Sequence, residues 1–173
     1  MKTSGTDLLA EVVDRAESRP QHFELIDALN ASVDEVFDMM VGLSFNDRSE
    51  PFSGGPTSRL EISGVISISG AQEAIVVANF SRELAFAATE VILGDRPEQV
   101  DSDVLETVAE LTNMIGGNAK DQCGIPGCNL GLPTVIHGSG HVVTMPKDTQ
   151  LTSIQFSSSK GPLNIELGRL AAR

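Results

Sequence analysis

Acidic and amide side chains recur on one face of the apolar stretch "VLETVAELTNMIGG" (residues 104–117), where Glu106, Glu110 and Asn113 follow each other at spacings of four and three. On a helix these spacings place the three side chains in one row, so they point outward together. A carboxylate can bind a cation on a partner, and a carboxamide can orient a water molecule through its donor and acceptor groups. The row has no nucleophile.

The same helix has an apolar face and a pair of glycines that bear on this row. Gly116 and Gly117 remove bulk one turn beyond Asn113, which would let another surface approach the amide closely. The opposite face predicts a core, through a row at spacings of four, three and four: Val104, Val108, Leu111 and Ile115. The alternative interpretation of the polar row is an ordinary solvated helix face.

Two cysteines and two histidines form a competing pattern. Cys123, Cys128, His137 and His141 have the order C-x4-C-x8-H-x3-H, and both residue types are zinc ligands. The histidines lie in the strand-like, glycine-punctuated stretch "PTVIHGSGH", which would not bring them onto one helical face. Buried thiols and turn histidines are the alternative. A Cys–His catalytic pair is a further one, although nothing in the sequence marks either thiol as reactive.

Composition limits the classes of function. The 173 residues, 40% of them hydrophobic, predict one globular domain that can bury a core. The net charge of -12 would repel phosphate backbones and anionic membranes, so nucleic-acid and membrane-surface roles are disfavoured. The first twenty residues carry acids where a signal peptide has its apolar stretch, and no segment has the length of a membrane span. We therefore expect a cytoplasmic protein.

Helical spacing of apolar residues predicts four helices. A short one covers residues 6–18 before Pro20, and a long one covers 21–43. Another runs from a Ser81 cap to Gly94, and the last, which carries the polar row, begins at 102 or 103 and ends near Ala119.

Strand-like alternation fills the rest of the chain. Residues 60–70 and 73–80 predict a β-hairpin, with an irregularity at Gly64 between Leu60 and Ile62 on one side and Val65, Ile66 and Ile68 on the other. The Ser, Gly and Pro-rich residues 44–59 predict a loop. Three more strands follow the last helix, in 129–143, 149–159 and 161–170. This order predicts an α+β domain whose mostly antiparallel sheet packs against long helices.

The stretch "VLETVAELTNMIGGNAK" resembles the CheX group of the CheC/CheX/FliY chemotaxis phosphatases. Their signature is an acid or serine, three residues, Glu, two residues and Asn, often continued by "GN", a small residue and Lys. Further segments are similar to CheX in the same order, over roughly residues 25–160: "ALNASVDEVFDMMVGL", "SGVISISG", "IVVANFSRELA" and "LPTVIHGSGHVV". The resemblance implies a CheC-like, pseudo-symmetric fold, with residues 21–173 as one phosphatase domain and residues 1–20 as an N-terminal extension.

The resemblance also implies an activity, the hydrolysis of the aspartyl phosphate of a CheY-type receiver domain. Glu110 would pair with the receiver's active-site lysine, and Asn113 would position the attacking water. Glu106, Gly116 and Gly117 would contact the partner. The protein would need no cofactor or metal of its own, because the Mg²⁺ belongs to the phosphorylated receiver. Positioning and charge stabilisation would then carry catalysis, as with the water-orienting glutamine of small GTPases.

The sequence departs from the family pattern at one position and has a single copy of the signature. Glu106 stands where the family has Asp or Ser, so a non-catalytic receiver-binding or flagellar-switch adaptor of the same fold is the alternative. In the first long helix the stretch "SVDEVFDMM" has Asp38 three residues after Glu35 and no asparagine, so one site is expected. Known CheX members are dimers, so the resemblance implies a homodimer.

Overall fold

A computed structural model describes residues 21–56, 59–124 and 126–170; the predicted helix over 6–18 lies outside this part. The three helices are α1 (Gln21–Val41), α2 (Arg82–Leu93) and α3 (Ser102–Cys123). The eight strands are β1 (Asp47–Arg48), β2 (Phe52–Ser53), β3 (Ile62–Gly70), β4 (Ala74–Phe80), β5 (Cys128–Leu130), β6 (Thr134–His137), β7 (Gln150–Ser158) and β8 (Gly161–Arg169). Among the described helices, none is long and apolar enough to cross a membrane.

The strands form one antiparallel sheet in the order β1-β7-β8-β4-β3-β5, with β2 also paired to β7 and β6 also paired to β3. The side chains of all three helices join those of one sheet face in a single apolar core. The predicted α+β class, an antiparallel sheet against long helices, is confirmed. Burial of this shared face provides the main driving force for folding.

Two halves of the chain repeat the same order of elements. In the first half α1 is followed by two short strands and then by the β3–β4 hairpin; in the second, α3 is followed by two short strands and then by the β7–β8 hairpin. The short strands pair across the halves, since β1 and β2 bind β7 while β5 and β6 bind β3. The predicted pseudo-symmetry is therefore built into the pairing of the sheet.

The predicted irregularity at Gly64 is wrong. The β3–β4 pairing runs without interruption from Ile62 opposite Phe80 to Ile68 opposite Ala74, so Gly64 shares the core face with Ile62 and Ile68. A Cβ at position 64 would overlap Thr112 on α3. Glycine is used here because the helix crosses the strand at this point, leaving no space for a side chain.

Two other predictions need correction. The segment 44–59, predicted as a loop, contributes β1 and β2, which are only two residues long and depend on β7 for their pairing. The single strand predicted over 129–143 is instead divided into β5 and β6, and no strand lies between His137 and Gln150. Glycine and proline interrupt both segments, so the pairing partner, more than local propensity, determines where strands form.

A buried ion pair lies on the sheet face away from the helices. Glu166 on β8 is fully buried, and its carboxylate accepts hydrogen bonds from both terminal NH2 groups of the Arg59 guanidinium, with Nη2 at 2.9 Å from Oε2. Asn79 Nδ2 on β4 donates to the same carboxylate at 2.6 Å, and Arg59 Nη2 donates to the carbonyl of Val143 at 3.2 Å. The carboxylate has lost its water but gained three donors, which is the condition for retaining a buried charge.

The network continues from Asn79 to the segment between β6 and β7. Ser63 Oγ donates to Asn79 Oδ1 at 2.6 Å and lies 2.6 Å from His141 Nε2. His141 Nδ1 also contacts the carbonyl of Gly138 at 2.7 Å. Polar side chains thus hold the strandless segment after β6 against the sheet.

A second polar cluster joins the ends of three elements at the surface. Glu61 precedes β3, Arg82 begins α2 and His137 ends β6. Arg82 Nε and Nη2 donate to the two Glu61 oxygens at 2.9 and 2.5 Å, and His137 Nε2 lies 3.3 Å from Glu61 Oε1. The hydrogen bond from Arg82, opposed by partial burial and supported by His137, lowers the pKa of Glu61 from 4.5 to about 2.

Glu61 is expected to contribute to the pH dependence of stability. Because its folded pKa is depressed, its contribution is present above pH 4.5 and is lost as the pH falls through about 2. The Glu61→Gln variant should therefore be less stable than wild type near neutral pH, with the difference shrinking on acidification. Urea unfolding at several pH values between 6 and 2 measures this. A pH-independent difference would contradict the assignment, and Glu73→Gln, at an exposed turn position, controls for loss of one carboxylate.

Candidate functional site

Helix α3 carries the predicted site, and its two ends are well defined. The Asp101 side chain caps the first turn by accepting from the backbone N–H groups of Asp103 and Val104 at 3.1 and 3.2 Å. The helix was predicted to end near Ala119 but continues to Cys123, where Gly124 adopts φ 59° as the C-cap. The polar residues therefore lie in the interior of a 22-residue helix.

The predicted core face of α3 is confirmed. Its row of four apolar residues is fully buried: Val104, Val108, Leu111 and Ile115. The helix packs against α1 as well as β3, and buried Ser32 Oγ on α1 donates to the Ile115 carbonyl at 2.9 Å. Contacts on both sides therefore fix how α3 is rotated about its axis and which of its residues face outward.

The polar row lies on the outward face. Glu106 and Glu110 are exposed, while Asn113 and Gly117, which continues the row, are half-buried. Within the described part of the chain, none of the three polar side chains has a hydrogen bond or ion pair. A carboxylate and a carboxamide one turn apart, both without internal partners, can accept a donor and orient a water from outside the molecule.

Gly116 does not belong to the outward surface, contrary to its prediction as a partner contact. It is buried, and a Cβ there would lie 3.0 Å from Ile66 Cγ2 on β3 and 3.4 Å from Leu130 Cδ1 on β5. The surface that approaches Gly116 closely is therefore this chain's own sheet. At Gly117 a Cβ would lie 3.6 Å from Leu130 Cδ2, which is ordinary contact. Only Gly117 stays at the edge of the outward row.

Helix α1 holds the corresponding position in the first half of the molecule but presents different chemistry. Its Glu35 Oε2 accepts a hydrogen bond from Gln122 Nε2 at 3.2 Å, so this acid is already used within the chain. The neighbouring Asp34 pairs with Arg48 at 2.7 Å. Asp38, exposed on the same helix, has no amide beside it in the sequence. The amide of Asn30, three residues after Asp27 on α1, accepts from Arg48 Nη1 at 2.8 Å, so a carboxylate-plus-amide pair without internal partners occurs on α3 and not on α1.

The four cysteine and histidine residues do not assemble into a metal site. Cys123 ends α3 and Cys128 begins β5, whereas His137 contacts Glu61 and His141 contacts Ser63. No group of three or more His, Cys, Asp or Glu side chains in the described residues could hold a metal ion. Burial also raises the pKa of the Cys123 thiol, which opposes formation of a nucleophilic thiolate.

Comparisons with known proteins place the chain among chemotaxis proteins. Residues 62–157 match the family model described as chemotaxis phosphatase CheX. A search of curated protein sequences finds no match.

Solved structures share the fold over most of their length. A CheX from Vibrio vulnificus is 27% identical with a TM-score of 0.77, and covers 84% of this chain and 99% of its own. A CheC-like superfamily protein from Shewanella sp. PV-4 is 25% identical with a TM-score of 0.78, covering 86% and 98%. The CheX of a CheX–CheY–BeF3–Mg complex from Borrelia burgdorferi, at 13% identity, has a TM-score of 0.66 and covers 84% and 97%.

Proposed function

Because the chain belongs to the CheX family of chemotaxis phosphatases, we propose that it hydrolyses the aspartyl phosphate of a CheY-type receiver domain. The observation that carries this proposal is the outward pair of Glu110 and Asn113 on α3, neither of which has an internal partner in the described chain. The Borrelia burgdorferi complex of a CheX with CheY, BeF3 and Mg supports the class of partner.

In the proposed reaction a water oxygen attacks phosphorus and the bond to the aspartyl oxygen breaks. The products are inorganic phosphate and the free receiver carboxylate. Asn113 would hold the water in line through its carbonyl and amide groups, and Glu110 would bind the receiver's active-site lysine. No nucleophile from this chain is required, since phosphoryl transfer depends mainly on positioning and charge stabilisation.

The metal is assigned to the partner. BeF3 has the geometry of a phosphoryl group, and its presence with Mg in the Borrelia complex is consistent with Mg²⁺ bound beside the receiver's phosphate. In this chain the row offers the carboxylates of Glu106 and Glu110 and one amide, and no group of three or more His, Cys, Asp or Glu side chains in the described residues could hold a metal ion. We propose that the protein has no cofactor of its own and acts in the cytoplasm as a homodimer.

The remaining members of the row are assigned to partner contacts. Glu106 lies one turn before Glu110 on the same exposed face, and Gly117 leaves space one turn after Asn113. An extra methylene at Glu106, relative to the family's aspartate, moves the carboxylate outward without changing its charge. We therefore keep Glu106 and Gly117 as contact positions and exclude Gly116, which is buried against β3.

The test of the proposal is the decay of a phosphorylated CheY-type receiver, with saturating Mg²⁺ and substoichiometric protein. We expect faster decay, with each molecule of this protein turning over several receivers. Absence of acceleration, with binding still detectable, would favour the adaptor function, and Glu106→Asp would then be the first variant to examine.

Replacing Glu110 by alanine or lysine should weaken the complex. Loss of a charge-assisted contact at a binding interface costs about 2–5 kcal/mol when the charges are desolvated, so affinity should fall at least tenfold. Titration of a BeF3-loaded receiver measures this. Asp38→Ala, on the corresponding face of α1, changes the net charge by the same amount as Glu110→Ala and should bind the receiver as wild type does. Unchanged affinity and rate for Glu110→Ala would remove this residue from the interface.

A further inference from the structure

A β-bulge lies beside the polar row of α3. Along β3, Ile68 pairs with Leu130 and Val65 pairs with Thr134. Two residues of β3 therefore lie opposite three residues of the neighbouring strand, Gly131 to Pro133. One extra residue is the definition of a β-bulge, and bulges redirect a side chain out of the regular alternation.

The bulge is held in place at its first residue. Gly131 N donates to the Ser67 carbonyl at 2.8 Å, which continues the β5 pairing by one residue. Proline at position 133 has no N–H to donate, as is usual at a strand edge. Leu132 between them is 91% exposed, more than any other large apolar side chain in the described residues. The bulge thus presents one leucine to solvent.

The bulge adjoins the second half of the polar row. Leu130, two residues before Leu132, packs against the positions of Gly116 and Gly117. Ile66, which lies in the stretch of β3 opposite the bulge, also contacts Gly116. Through Leu130, the bulge therefore adjoins the end of the polar row at Gly117, one turn after Asn113.

We propose that Leu132 is an apolar anchor for the receiver domain whose phosphate is hydrolysed at Glu110 and Asn113. This inference rests on the proposed function. The polar row can orient the partner, but it offers little apolar area, whereas a desolvated leucine supplies binding free energy in proportion to the surface it buries. The receiver is the occupant because the bulge adjoins, through Leu130, the end of the polar row at Gly117, and the receiver is the partner assigned to that row.

The test compares Leu132→Ser with Val142→Ser, which removes a 77% exposed side chain from the segment after β6. Leu132 would contact the receiver equally in the ground state and in the transition state. Its loss should therefore raise KM for the phosphorylated receiver about tenfold with kcat nearly unchanged. Val142→Ser should leave both constants as in wild type. Since both side chains are exposed, the melting temperatures should not change.

Each outcome bears separately on the two proposals. Wild-type turnover with an unchanged KM for Leu132→Ser would overturn the anchor and leave the phosphatase function intact. Absence of wild-type turnover would reject the phosphatase, and affinity for the BeF3-loaded receiver would then decide the anchor alone. Loss of that affinity in Leu132→Ser supports the anchor; equal affinity, or no receiver binding by wild type, overturns it. A dimer that dissociates on Leu132→Ser while KM stays constant would assign the leucine to a second copy of this chain.

Discussion

Dephosphorylation of the receiver is expected to slow by about 10²-fold or more when Asn113 is replaced by alanine, with little change in receiver affinity. The asparagine is proposed to hold a water molecule, and this interaction gains its full value only in the transition state. Removing it should therefore lower kcat and leave KM nearly constant. Alanine is a better helix former than asparagine, so loss of activity would not reflect unfolding of α3.

Single-turnover decay of the phosphorylated receiver, at saturating concentrations of this protein, measures the chemical step directly. Asn118→Ala is the matched control, because it removes the same amide from a half-buried position on a different face of the same helix. We expect the control to retain the wild-type rate. If Asn113→Ala were as fast as wild type, the water-positioning role would be wrong, and another group would have to orient the nucleophile.

Replacing Glu166 by glutamine is expected to reduce the free energy of unfolding by about 3–5 kcal/mol, the usual cost of breaking a buried ion pair from one side. Glu166 is fully buried and Arg59 has only 13% of its side chain exposed. The carboxylate accepts from Arg59 and from Asn79, so an amide in its place would turn one N–H group toward another donor. The arginine would also lose its counter-charge.

Urea unfolding followed by circular dichroism measures this difference. Glu90→Gln is the control, since Glu90 forms a 2.9 Å ion pair with Arg96 in which both side chains are nearly half exposed. Surface pairs of this kind contribute at most about 1 kcal/mol. A double variant with Arg59→Met should recover part of the loss, because it removes the unpaired charge. Equal stability of Glu166→Gln and wild type would contradict the buried pair.

Local periodicity predicted the parts of the molecule that depend on one element alone. The spacing of Val104, Val108 and Leu111 was sufficient to identify the buried face of α3 and, by exclusion, the outward position of Glu110. The cap of α2 was also predicted, since Ser81 accepts from the N–H of Leu84. Such features depend on residues three or four apart, which a sequence shows directly.

Features that depend on contacts between distant elements were not predicted. The glycine at position 64 was interpreted as an irregularity in the strand. It is needed because Thr112 passes above it, and Thr112 lies on another element. Gly116 was likewise predicted to contact the partner protein, because its close neighbour Ile66 lies on a strand distant in the sequence. The polar residues Asn79 and Glu166 lie between apolar residues of their strands. This pattern could have indicated that they form hydrogen bonds inside the molecule, but not with which residues.

The exchange of short strands between the two halves of the sheet has a consequence for how the protein folds. The short strands that pair with each hairpin come from the other half of the chain. The central pairing of β4 with β8 also joins distant residues, such as Ala78 and Ile165. The contact order is therefore high, which is associated with slow folding, since distant segments must meet before their contacts stabilise each other. Fragments cut between α2 and α3 should thus remain unfolded separately and recover structure only when mixed.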